Sequence, residues 1–307
     1  MYVIAVLAIL LFSSNNNQQI FSHTFAGDES ASFLALMDQM QTEMNLINTN
    51  LIANNNNQSL IAKDHLNKIN ELYTESIKKE IAERNERIAN EISSIINETS
   101  IAIGEENKDI SETVKNFNDI IEEAISVRID PEALTNATIN ALHFADLINS
   151  IDISYATAVG AKPMNMSAMN MSAMNNMSHD NTNSNSNNTM SSSDTKMDHG
   201  DSNNMASMGK NTGRNSNATE TSTITNIASY QTAKELTNIA IDLFNSTIKQ
   251  NIPSNATENA KAIESSLQQL KDLIELQVPY NKVMGVIHGI IQTNIQETFN
   301  LPLKISK

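Results

Sequence analysis

Ten methionines and two histidines crowd into 61 residues, Pro163 to Thr223, that hold no Leu, Ile, Val or aromatic residue. Met164/Met166 and Met169/Met171 are M-x-M pairs inside a tandem five-residue repeat, and Met174/Met177 and Met205/Met208 are M-x-x-M pairs. Met190 and Met197 stand between them, and two histidines abut carboxylates, as His179-Asp180 and Asp198-His199. A thioether is a soft, neutral ligand that needs no deprotonation, so clustered Met favours Cu(I) over zinc, magnesium or calcium. In an extended chain, residues two apart project to the same side roughly 6.5–7 Å apart, so an M-x-M pair chelates after modest bending. The His and Asp of the two mixed pairs suit Cu(II). At three thioethers per Cu(I), the stretch has ligands for about three ions.

Placement strengthens the case. Methionine in a folded protein normally fills gaps in an apolar core. This stretch instead carries 14 Asn and 12 Ser, and it cannot bury enough surface to offset its chain entropy. It is expected to be a disordered insert, bounded here as 161–223, with a coil reach of about 40–45 Å.

At these residues the chain resembles the methionine- and histidine-rich segments of exported copper-handling proteins. Among them are the ectodomains of high-affinity copper transporters and periplasmic copper-resistance proteins, which use M-x-M, M-x-x-M and M-D-H elements. The resemblance covers Met164 to Met208 only. It implies copper as the bound ion, as Cu(I) with Cu(II) as a second state. The implied ligands are Met164, Met166, Met169, Met171, Met174, Met177, His179, Asp180, Met197, Asp198, His199, Met205 and Met208. The expected partners are copper ions and a protein that donates or accepts the metal, or one at the cell surface. The alternative is a glycosylated cell-surface helical bundle, structural or protein-binding, with a low-complexity linker whose Met content is incidental. Three sequons inside the Met repeat, at Asn165, Asn170 and Asn176, belong with that alternative.

The segments that must carry the insert read as helices. Apolar residues recur at spacings of 3 and 4 with almost no Pro or Gly, and no strand pattern survives inspection. The stripes are Leu134, Ala137, Ala141, Phe144, Ile148, Ile151, Tyr155; then Ala256, Ala260, Ile263, Leu267, Leu270, Ile274; and Ile110, Val114, Phe117, Ile121, Ile125. A long helix is expected over Ser59 to Ile103, with Tyr73, Ile77, Ile81, Ile88, Ile92 and Ile96 inward and Lys78, Lys79, Arg84 and Arg87 solvated. Asp130-Pro131 and Pro253-Ser254 mark helix starts, and Gly104 and Gly160 mark ends. The fold class is therefore all-α, an up-down bundle of about seven helices, four or so before the insert and three after it. The N-terminal part spans 28–160 and the C-terminal part 224–307. The last helix, Tyr280 to Phe299, is apolar nearly all round and needs cover on several sides, which favours one composite bundle.

The chain opens on an unbroken apolar run, Tyr2 to Phe12, too short to span a bilayer but suited to a signal peptide ending near Ala26. Ten sequons, at Asn57, Asn97, Asn136, Asn165, Asn170, Asn176, Asn187, Asn217, Asn245 and Asn255, are compatible with glycosylation outside the cytoplasm. The expected location is extracytoplasmic, with no transmembrane span in the mature chain. A formal charge of −15 opposes nucleic-acid binding, and the absence of Cys removes disulfides, thiolate metal sites and Cys nucleophiles. No nucleophile–base or cofactor pattern marks an enzyme. Three histidines lie outside the insert and the leader. His288, on the stripe Met284, His288, Ile291, Ile295, Phe299, reads as a hydrogen-bonded core residue. Gly285 and Gly289 on that helix are expected to admit a close helical neighbour. His143 and Asp146 share a helix at i,i+3 and could form half of a metal site, and His65 reads as surface.

Overall fold

The computed structural model describes residues 28–53, 58–105, 109–162 and 221–301. Among them every regular element is helical, so the protein is an all-α bundle. Helix α1 (Glu29–Ile52) starts where the Asp28 carboxylate accepts from the amides of Ser30 and Ala31. Such a cap is worth about 1 kcal/mol. Its inward face carries Met37, Met40, Met44 and Ile47, all fully buried.

Ser59 to Ile103 is not one helix. It is three: α2 (Gln58–Leu72), α3 (Glu75–Arg84) and α4 (Glu86–Ile103). The breaks fall at two capping residues that the apolar stripe runs straight across. Thr74 accepts from the amide of Ile77, and Asn85, extended at φ −157°, accepts from that of Arg87. A side chain that satisfies orphan amides competes with continuing the helix, and at both points it wins. The chain can then turn so that Ile81 and Ile88, on different helices, share one core. The Tyr73 hydroxyl donates to the carbonyl of Ala89 and pins the fold-back. Arg87 bridges Glu91 of its own helix and Glu123 of the next, both well exposed, as expected of a solvated charged face.

Helix α5 (Ser111–Arg128) buries Val114, Phe117 and Ile121 as its stripe requires. A single turn, α6 (Pro131–Leu134), is started by Asp130 and tied to the next helix by Asn140, which donates to the Leu134 carbonyl. Helix α7 (Ala137–Ala158) is capped by Asn136 and buries Ala141, Phe144, Ile148, Ile151 and Tyr155.

The C-terminal helices are α8 (Ile227–Leu243), α9 (Thr257–Glu275), α10 (Tyr280–Val286) and α11 (Gln292–Phe299). Helix α8 runs on through a π turn (Phe244–Ile248), and a second π turn (Ile287–Ile291) joins α10 to α11 into one rod from Tyr280 to Phe299. That turn carries His288, whose carbonyl accepts from the Thr293 hydroxyl five residues on. Gly285 and Gly289 do not seat a neighbouring helix: a Cβ at either would meet nothing within 4 Å, and Gly289 is exposed. The rod buries Val283, Ile287, Ile291 and Ile295 through its other sides.

One apolar cluster gathers α1 to α5, and a second gathers α7 to α11 together with Ala31 and Ala35 of α1. Partly buried Ile139 packs against both clusters. Helix α8 packs on α7 and also contacts α1 and α2. No described helix is long and apolar enough to cross a membrane.

Candidate functional site

All thirteen residues proposed as copper ligands, Met164 to Met208 with His179, Asp180, Asp198 and His199, lie outside the described residues. The described residues on either side of 163–220 show how the chain ends α7 and begins α8. Helix α7 ends in a Schellman motif: the amide of Ala161 donates to the carbonyl of Ala156 at 2.8 Å, and that of Gly160 to Thr157 at 3.2 Å. Gly160 has φ +69°, and a Cβ there would lie 3.3 Å from the Thr225 hydroxyl. On the returning side, the Ala158 carbonyl accepts from the amides of Thr225 (2.8 Å) and Asn226 (3.1 Å) and from the Thr225 hydroxyl (3.1 Å). Asn226 then caps α8 by accepting from Ser229. One step earlier, the Ser222 amide donates to the Gln277 carbonyl at 2.6 Å. After the segment the chain is therefore held at two helix ends, by Ser222 on the end of α9 and by Thr225 and Asn226 on the end of α7.

The three described histidines each face a carboxylate. His65 is not on the surface. It is fully buried, on the inner side of α2, with Nδ1 2.5 Å from Glu43 Oε2 and Nε2 2.7 Å from Gln231 Oε1. Glu43, itself only 2% exposed, accepts through Oε1 from the Thr232 hydroxyl at 2.8 Å. Lys68 donates to Thr232 at 2.7 Å and lies 3.5 Å from Glu43. Burial holds the Lys68 ammonium below its ordinary value, with the Glu43 charge opposing. Asn50 and Gln231 exchange hydrogen bonds at 2.9 and 3.2 Å. Sequence reasoning missed this cluster because its members come from α1, α2 and α8. The available signal was a carboxylate, Glu43, set directly among Met40, Met44 and Ile47.

His143 and Asp146 do not converge. His143 Nε2 lies 2.7 Å from Asp38 Oδ2, while Asp146 accepts from the Ser32 hydroxyl at 2.9 Å. Among the described residues, no group of three or more His, Asp or Glu side chains is arranged to hold a metal ion. His288 is a buried, hydrogen-bonded residue with Gln292 Oε1 at 2.7 Å and Asp152 Oδ2 at 3.3 Å, and the Tyr280 hydroxyl donates to the same Asp152 oxygen at 3.0 Å. Burial disfavours the charged imidazole. The hydrogen bond and charge of Asp152, helped by Gln292, outweigh that cost and raise the ring above its ordinary value of 6.5. Nearby, the Tyr155 hydroxyl donates to the Val278 carbonyl at 2.6 Å, and burial pushes this phenol up to about 12.

No family model, curated protein or solved structure matches the chain.

Proposed function

We propose that this protein binds copper ions outside the cytoplasm, for buffering, sequestration or delivery, through its Met- and His-rich segment, and performs no catalysis. The observation that carries the proposal is a contrast in methionine usage. Every described methionine, Met37, Met40, Met44 and Met284, is buried in an apolar core. The ten between Met164 and Met208 sit in sequence that offers no branched aliphatic or aromatic side chain to pack against. Core filling explains the first group and not the second, and soft-metal ligation explains the second. The apolar leader and the sequons support an exported, glycosylated chain, and a metal-donating or metal-accepting protein would be its partner.

The test is titration of the mature protein with Cu(I) and Cu(II) against a competing chelator, repeated on a chain lacking 164–208. Helicity retained with Cu(I) binding lost is the expected result; affinity that survives the deletion refutes the proposal.

A second reading draws on the open groove of ≈ 420 Å³ between α4 and α5, lined by Glu91, Glu98, Asp119 and Glu123. There the bundle would dock a protein partner at a cell surface and the Met-rich segment would be a linker. Partner capture that needs the bundle and ignores copper chelation would favour it.

A further inference from the structure

We infer that the His65–Glu43 contact holds a proton that fastens the first turns of α8 to α1 and α2. The orientation of two side-chain amides fixes where the hydrogens lie. The Asn50 side-chain nitrogen donates to the main-chain carbonyl of Leu46 at 2.7 Å, and a carbonyl can only accept, so Asn50 cannot be turned over. That nitrogen also faces Gln231 at 2.9 Å, which makes the facing Gln231 atom the oxygen, and the return bond from Gln231 to Asn50 Oδ1 agrees. The same Gln231 oxygen lies 2.7 Å from His65 Nε2, so Nε2 must carry hydrogen. A neutral imidazole has one N–H. With Nε2 protonated, neutral His65 would present the Nδ1 lone pair to Glu43 Oε2 at 2.5 Å. Two acceptors at that distance in a buried site repel unless one proton lies between them. The pair is therefore an imidazolium with a carboxylate, or a neutral imidazole with a carboxylic acid.

The charged groups that face the contact are few. Helix α1 supplies Glu43 and α2 supplies Lys68, whose charge is also felt by Asp64 and Glu71 of α2. Helix α8 contributes only neutral groups, Gln231 and Thr232, and on the α4 side Thr99 donates to the Met44 sulfur beside Glu43. Without a proton between them the two lone pairs would repel at 2.5 Å, at a point on which α1, α2 and α8 all converge. Gln231 and Thr232 lie in the second turn of α8, so the latch holds the start of the helix that follows 221–226. The inference concerns the bundle alone and stands whether or not the segment binds copper.

Nitrogen-15 and carbon-13 spectra of the full chain at pH 7 test it directly. The expected result is an N–H at Nε2 of His65 and one further proton, seen either as a protonated Nδ1 or as a protonated Glu43 carboxyl. An unprotonated Nδ1 beside an ionised Glu43 overturns the inference. Glu43→Gln supplies the second measurement, because an amide can donate to a neutral Nδ1 at any pH. In Glu43→Gln the same spectra at pH 7 should keep the hydrogen on Nε2 of His65 and lose the second proton. A second proton that persists on His65 Nδ1 without Glu43 counts against the latch.

Discussion

The Thr225 amide donates to the Ala158 carbonyl at 2.8 Å, joining positions 67 residues apart in the chain. That bond, with those of Asn226 and the Thr225 hydroxyl to the same oxygen, places the start of α8 on the end of α7. The bundle does not rely on the intervening segment to bring these helices together.

Replacing 163–220 with a short Gly/Ser link should therefore leave the bundle folded. Circular dichroism should show the same ellipticity per helical residue, and the thermal midpoint should move by no more than a few degrees. The shortened chain should no longer compete with a chelator for Cu(I).

Within the segment, the methionine pairs should act as units. Changing Met164 and Met166 together to Leu keeps their size and removes two thioethers. We expect about a tenfold loss of Cu(I) affinity, roughly 1.4 kcal/mol, per pair removed. X-ray absorption should show fewer sulfur neighbours around copper, and changing the Asn residues between the pairs should do neither.

Glu43 sits between His65 and Lys68 with almost no access to water. Glu43→Ala would leave fully buried His65 and half-buried Lys68 without their carboxylate. Removing one partner of a buried charged pair typically costs about 3–5 kcal/mol, and urea unfolding should show a loss of that order.

His288 gives the fold a pH dependence of definite sign. Its folded value lies above 6.5, so its contribution to stability is fully present below about 6.5 and is lost as pH rises through the folded value. Unfolding free energy followed from pH 6 to 9 should therefore decline over that window, and His288→Gln should flatten this part of the curve.

Two helix ends should respond in opposite directions. Gly160 has φ +69° and little room for a Cβ beside Thr225, so Gly160→Ala should destabilise by about 1 kcal/mol. Gln277 occupies the corresponding left-handed position after α9, at φ 53°, so Gln277→Gly should stabilise by about 0.5–1 kcal/mol. Thermal melts of the two variants check both.

Helix type and core face were legible wherever the apolar stripe alone governs the segment. Phe117 and Val114 of α5, Phe144 and Ile148 of α7, and Leu267 and Leu270 of α9 all point inward as their spacing requires. Periodicity is blind to interruptions that keep the stripe in phase, and so Thr74 and Asn85 divide a segment that looks continuous. It is equally blind to polar residues whose partners arrive from distant sequence. His65 has charged and polar neighbours along the chain, and only the approach of Glu43 from α1 and Gln231 from α8 makes its burial affordable. His143 shows the same limit, since its partner Asp38 is 105 positions away. His288 was readable because its own stripe places it inward.

The welded base at Ala158 also bears on how this sequence can change over generations. Lengthening a loop whose ends are already held together costs only about 0.6 kcal/mol for each doubling. Five-residue units such as those at Met164 to Ala173 can therefore be duplicated or lost with little mechanical consequence for the helices. Methionine number can drift by repeat slippage while the scaffold stays under its own, separate selection.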